Sequence, residues 1–138
     1  MTKRSMDSKE LRLTLPLRIR ASKRGKFYAL NLNIYRNLHY AVLGNLKSNF
    51  TQLIEQMLSS TCSVGMFKKP YISYTFYADN NRTTDLMNWV SVIDKFVMDA
   101  LVAHHTIVDD STEFIKEVHV KYGGVDKGRG RLEMEIRE

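Results

Sequence analysis

Asp85, Asn88, Lys95 and Asp99, with the adjacent pair Asp109-Asp110 further on, are the residues of this chain whose types and spacing could do chemistry. Carboxylate oxygens are the ligands Mg²⁺ prefers. That ion usually takes one or two of them and leaves the rest of its octahedron to waters or phosphate oxygens. A lysine held nearby can offset charge as it builds up on a phosphoryl group. The chemistry this suggests is metal-assisted hydrolysis of a phosphodiester, with half of the site carried on one segment.

That segment reads as a helix. Wound at about 100° per residue, Asp85 to Leu101 gathers Leu86, Trp89, Val90, Ile93, Phe96, Val97, Ala100 and Leu101 into one arc, the stripe a surface helix turns to its core. Asp85, Asn88, Lys95 and Asp99 share the polar flank, whereas Asp94 falls roughly opposite Asp85 and is expected outside that group. A rise of about 1.5 Å per residue sets Asp85 and Asp99 about 20 Å apart, so they cannot share an ion. The second carboxylate must come from elsewhere. Asp109-Asp110 are the best candidates, since the apolar approach Thr106-Ile107-Val108 leads straight to them. Adjacent strand residues face opposite sides, so one of the pair would point at the site.

The order of these residues resembles the RusA family of Holliday-junction resolvases, small dimeric endonucleases of phages and prophages. The family signature runs Arg, Asp-Leu-Asp-Asn, Lys, Asp-Ala-Leu and then Asp-Asp. Asp85-Leu86-Met87-Asn88 matches the first block, with Met87 where the family's second metal-binding aspartate stands. Lys95 matches the catalytic lysine at a gap longer by about one helical turn, which keeps it on the same face. Asp99-Ala100-Leu101 and Asp109-Asp110 match, and Arg82 precedes Asp85 where the family carries arginines. Asn31 to Arg36 resembles, more weakly, an Asn and Tyr-Arg stretch near the family's N-terminus.

The resemblance implies a catalytic set of Asp85, Asn88, Lys95, Asp99 and Asp110. It implies Asp85 and Asp110 as ligands of Mg²⁺, with Mn²⁺ able to substitute, and a homodimer acting on branched DNA. A four-way junction has two strands to cut symmetrically, which suits a two-fold enzyme. The alternative is a non-catalytic branched-DNA-binding protein whose site has decayed, and Met87 is the residue that keeps it open. Asp94 reads first as a cap or a partner of a neighbour at the far edge of the helix, and could supply the missing carboxylate if the helix began later.

The 138 residues fit one domain able to bury a core without staples, with residues 1–10 expected as a flexible tail. A single cysteine, Cys62, rules out an internal disulfide and reads as a core thiol suited to a reducing cytoplasm. The basic N-terminus has no apolar stretch behind it, so no signal peptide is expected, and no run approaches the roughly 20 apolar residues of a membrane span. A net charge of +6 is the electrostatic footprint of a nucleic-acid binder. The charge falls in two clusters, Arg18, Arg20, Lys23, Arg24 and Lys26, then Lys121, Lys127, Arg129 and Arg131. Together with Arg82 they form the expected DNA path.

The remaining elements follow from periodicity. Leu11 to Arg20 alternates as a half-buried strand, with Pro16 marking either an edge or a break. Ser22 to Lys26 reads as a turn and Phe27 to Leu30 as a short return strand or an approach loop. Apolar residues recur at three and four from Leu38 to about Ser59, an amphipathic helix. Pro70 to Tyr77 is an aromatic, β-branched strand that delivers Asp85 at a strand-to-helix junction, and Tyr71, Tyr74 and Tyr77 on it could stack on unpaired bases. Alternation in Phe114 to Tyr122 and again in Leu132 to Ile136, with glycines between, suggests a hairpin carrying a long basic loop. The expected class is α+β: a small mixed sheet with two main helices on one face. His104-His105 project to different sides and have no third ligand at a recognisable spacing, and lone His39 and His119 read as structural.

Overall fold

A computed structural model describes residues 9–60 and 65–138. Cys62 and the first residues of the expected tail lie outside the described residues. Lys9 and Glu10 do not behave as tail: the Lys9 Nζ donates to the Met66 carbonyl at 2.6 Å, and Glu10 opens the first strand.

Strict alternation from Glu10 to Pro16 makes β1, which buries Leu11, Leu13 and Leu15 on one side and exposes Glu10, Arg12 and Thr14 on the other. Pro16 does both things its chemistry allows. It closes the strand, and the strand lies at a sheet edge. The alternation continues in sequence, but the chain turns away at Leu17. β2 (Arg18–Arg20) pairs instead with β3 (Phe27–Ala29) in a separate two-stranded ribbon. A short helix not expected from periodicity, α1 (Leu32–Arg36), follows, capped by Asn31, whose side chain accepts from the Ile34 N–H at 3.0 Å. α2 (Tyr40–Ser59) begins at His39, whose Nδ1 accepts from the Ala41 N–H at 3.2 Å.

The main sheet is completed by β4 (Tyr71–Ala78), β5 (Glu117–Val125) and β6 (Arg131–Arg137), in the order β1-β6-β4-β5. β6 is antiparallel to both neighbours. β4 and β5 are parallel and are joined through α3 (Leu86–Ala103), a strand–helix–strand unit. The expected hairpin of β5 with β6 is therefore corrected: β4 lies between them. Glycines at 123, 124, 128 and 130 mark a reversal of the chain, but they do not say whether the returning strand pairs with the one it left or steps over a neighbour. Burial decides it. β4 alternates fully buried and half-buried residues, as a central strand does, whereas β5 is largely exposed on both faces, as an edge is.

Ile72, Tyr74, Phe76 and Ala78 of β4 share the covered face with Leu132, Met134 and Ile136 of β6, and α3 packs on this face. α2 packs in turn against α3 and the β2–β3 ribbon through Leu46, Phe50 and Ile54, with the Phe50 and Phe96 rings edge to face at 5.6 Å. This is the expected α+β class. Each buried aliphatic or aromatic side chain stabilises by about 1.5–3 kcal/mol, and truncating Phe96, which packs against Tyr35 of α1 and Phe50 of α2, would cost about 3–5 kcal/mol.

Candidate metal and nucleic-acid site

Asp85 is the N-cap of α3. Its Oδ1 accepts from the Met87 N–H at 3.2 Å, and its backbone carbonyl accepts from Asn88 N–H at 3.1 Å. The strand-to-helix junction expected from the sequence is thus present, with Asp85 exposed at its corner. α3 then runs back along β4, so that each turn carries its side chains away from this end of the sheet. Asn88 is half-buried, and Lys95 and Asp99 are exposed on the expected polar flank.

Asp94 stands off that flank and pairs with a neighbour. Its Oδ1 accepts from the Tyr74 hydroxyl at 2.5 Å, and its carboxyl lies within electrostatic reach of both Asp99 and Asp110. The reason is the width of the buried arc. Val92 and Met98, which flank the expected apolar stripe, are buried along with it, because α3 is covered by the sheet on one side and by α1 and α2 on another. A position that falls at the margin of the stripe becomes half-buried, and there Asp94 meets the one polar atom that β4 sends into the core. Tyr74 is only 1% exposed and its hydroxyl needs a partner, so it is neither free nor placed to stack on a base.

Burial pushes the Asp94 carboxyl up from the ordinary aspartate value. The Tyr74 hydroxyl pulls it partly down again, and the charges of Asp110 and Asp99 push it further up. A half-buried carboxylate facing two like charges favours a proton or a cation. Tyr74 itself is pushed well above the usual phenol value by burial first and by the Asp94 charge second.

Asp99 and Asp110 thus reach Asp94 through their charges, while Asp85 lies at the other end of the same helix segment. Asp85 stands where β4 ends, nine residues of helix away from Asp94, or about 13 Å along the axis. Among the described residues no group of three His, Cys, Asp or Glu side chains is placed to hold a metal ion. His104 closes α3 through its backbone, and His105 adopts a φ of 62°.

The basic residues differ in whether a carboxylate holds them. Arg18 donates from Nη1 to Asp79 Oδ2 at 2.6 Å and lies over the Trp89 ring at 5.5 Å. Arg131 bonds Glu133 through Nε at 2.7 Å and Asp126 through Nη1 at 2.8 Å, and its guanidinium stacks on Tyr77 at 4.2 Å. Both are fastened within the fold. Arg20, Lys23, Arg24, Arg82, Lys127 and Arg129 are exposed.

Asp79, which sequence reasoning passed over, gathers the two basic clusters at one end of the sheet. Its Oδ1 accepts from Gly130 N–H at 2.6 Å while Oδ2 holds Arg18, and its carbonyl accepts from Gly128 N–H at 3.0 Å. The β5–β6 loop is thus pinned, not free to swing. No room is left for a side chain at Gly130, where a Cβ would stand 2.4 Å from Asp79 Oδ1. The signal was available: an acid directly after a strand, followed by Asn80-Asn81, is a turn that needs its backbone groups satisfied. Arg18 holds the Asp79 carboxyl below the usual value, with burial opposing and the Gly130 N–H helping.

No protein-family model matches this chain, and comparison with curated proteins finds no match either.

Proposed function

We propose that this protein is a metal-dependent endonuclease acting on branched DNA, with four-way junctions as the leading substrate. The observation that carries the reading is the half-buried Asp94 carboxyl, fixed by the Tyr74 hydroxyl and within electrostatic reach of Asp110 and Asp99, on a helix that also presents Lys95. The donor set is all oxygen and mutually repulsive, which fits a hard divalent cation such as Mg²⁺ or Mn²⁺. Asp94 and Asp110 would hold the ion, in place of the Asp85 and Asp110 pair expected from the sequence. When bound, such an ion lowers the pKa of water and stabilises a departing oxygen.

The chain's own residues do the rest. The Tyr74 hydroxyl fixes one oxygen of Asp94 and leaves the other free. Lys95, exposed on the same helix, offsets charge on a phosphate brought to the acids. Arg82, Lys127 and Arg129 at the Asp79 end and Arg20, Lys23 and Arg24 on the ribbon supply cations for DNA arms.

A homodimer belongs to the same reading. β5 is an edge strand, and Val118 and Tyr122, in register with buried Ile72 and Phe76, remain 51% and 55% exposed on the face that α3 leaves uncovered there. A second copy would cover them.

The test is a mobile four-way junction incubated with protein. Paired symmetric nicks with Mg²⁺ or Mn²⁺, and binding without cutting in Ca²⁺, are expected. A second reading, a branched-DNA-binding protein without catalysis, is favoured by Met87 in the first helical turn and by Asp85 serving as an ordinary cap. It would be left standing by tight junction binding with no cut under any of these ions.

A further inference from the structure

The β2–β3 ribbon and α2 enclose a groove of about 530 Å³ whose lining differs from that of the larger concavity on the sheet. The larger concavity, on the open face of the sheet, sets Glu133 and Glu135 among Arg12, Lys121 and Arg137, so carboxylates there oppose the cations. The ribbon groove is lined by two cations, Arg20 and Lys23, and by no carboxylate. Arg24 and Lys26 stand exposed in the same turn.

Phe27 lies on the wall of this groove, 56% exposed on a ribbon that has a core beside it in which to bury aromatic surface. Its strand partner Arg20 holds the guanidinium 4.6 Å from the ring centroid, and that guanidinium is itself fixed by donating to the Lys23 carbonyl at 3.0 Å. The opposite wall is α2, which presents Asn49, Gln52 and Gln56 at helical spacing along one side. Asn49 ties the walls together, since its Nδ2 donates to the Arg20 carbonyl at 2.7 Å. The groove therefore combines a flat exposed ring, amides able to donate and accept, and cations at the rim.

We propose that this groove binds one unpaired base of a nucleic acid strand, stacked on Phe27, edged by Gln52 and Gln56, with the flanking phosphates on Lys23, Arg24 and Lys26. Every base has a π face, so stacking of this kind tolerates sequence. The volume lies within the range of small-ligand sites and accepts a base with its sugar. Branched DNA exposes such bases where its arms meet. The inference thus rests on the reading of the protein as a branched-DNA binder and adds the feature of the substrate that is recognised.

The experiment is a binding cycle between Phe27 and the base. Fluorescence anisotropy is read for a short single-stranded DNA, the same strand with one abasic position, and a four-way junction. Polyglutamate serves as a polyanion without bases. For the unmodified protein, removing the base should weaken binding roughly 5- to 150-fold, the equivalent of about 1–3 kcal/mol of stacking. Phe27→Ala should lose the same factor on the intact strand and become indifferent to the abasic position, while Phe27→Tyr should restore the difference. Lys23→Ala with Arg24→Ala should weaken intact and abasic strands alike and flatten the salt dependence by about 1.4 units on single strands. Equal cost of base removal in the unmodified protein and Phe27→Ala, or polyglutamate competing as well as DNA, would overturn the proposal, the latter in favour of a generic polyanion surface. Junction binding that persists in either case would leave the branched-DNA reading intact, whereas no binding to any DNA would overturn both.

Discussion

Replacing Tyr74 by Phe isolates the contact on which the candidate site turns. The ring is kept, so no cavity larger than a hydroxyl forms among Ile72, Phe76 and their neighbours, and what is lost is the donor to Asp94. A hydrogen bond to a charged group is worth about 1.5–3 kcal/mol. Asp94 is half-buried and can recover part of this from solvent, so the lower half of the range applies, about 1.5–2 kcal/mol at neutral pH. With an unfolding entropy of about 2.1 cal/mol/K per residue over 138 residues, the midpoint of thermal unfolding should fall by about 5–7 °C.

The pH dependence carries a definite sign. The folded Asp94 carboxyl titrates above its unfolded value, so folding disfavours its ionised form. That cost is absent below the unfolded value, grows as pH rises through the interval between the two, and is constant above it. Tyr74 is the contact that narrows this interval, so its loss should be felt most at neutral pH. In acid, where Asp94 is protonated, it should shrink towards the roughly 0.5–1.5 kcal/mol of a neutral hydrogen bond. The assay is urea unfolding of the single variants and the double variant with Asp94→Asn, at about pH 3 and about pH 8. Asp94→Asn alone should stabilise at the higher pH, because the amide keeps the Tyr74 bond and removes a charge facing Asp99 and Asp110. A Tyr74→Phe loss of the same size at both pH values and in both backgrounds would show that the hydroxyl acts by packing alone and that Asp94 is not the strained carboxyl described above.

Asp79→Ala should cost roughly 1–2 kcal/mol after allowance for solvent screening, since it frees Arg18 and the Gly130 N–H together. Because Arg18 lowers the Asp79 carboxyl, the stability it contributes is present above the unfolded value and lost as pH falls through the folded one, so Asp79→Asn should flatten the acid limb of a stability–pH curve. Arg129→Ala should weaken duplex binding and reduce the salt slope by about 0.9 while leaving the unfolding free energy within about 0.5 kcal/mol of the unmodified protein. Arg131→Ala, which breaks two ion pairs and a stack, should instead show mainly in thermal unfolding. Val118→Lys on the exposed edge strand should lower the sedimentation mass towards that of one chain, and an unchanged mass would remove β5 as the contact between copies.

Much of the fold was legible because periodicity and burial speak the same language. The α3 stripe, the α2 repeat and the alternation of β1 and β6 each predict a face, and those faces are the buried ones, while β4 was legible as a strand from its aromatic and β-branched residues. Pro16 was legible as a break because its chemistry is local. The neighbour of β5 was not legible, since glycines report that the chain reverses and are silent on what lies between the returning strands. The surroundings of Asp94 were hidden for the same kind of reason. A helical wheel assigns Asp94 to the margin of a stripe, and only the second layer, α2 and α1 on the far side of α3, turns that margin into a half-buried position. Tyr74 could have been suspected, because a tyrosine at a core-facing position between Ile72 and Phe76 must find a partner for its hydroxyl. Arg18 and Arg131 read as DNA contacts by charge alone, and their intramolecular partners Asp79, Asp126 and Glu133 became visible only in three dimensions.

Cleavage of a mobile four-way junction in Mg²⁺ by the unmodified protein, by Asp94→Asn and by Asp85→Asn tests the central claim most directly. Both variants keep side-chain shape, and the amide at 94 keeps an acceptor for Tyr74, so folding is monitored by the thermal midpoint in parallel. The account predicts that Asp94→Asn lowers the cleavage rate by at least about 10²-fold, the scale of one electrostatic group in a site of this kind, with junction affinity kept or raised. Asp85→Asn, acting at a helix cap away from Asp94, should retain cutting within a few fold. Cleavage that survives Asp94→Asn and is abolished by Asp85→Asn would contradict the account and return the site to the helix N-terminus.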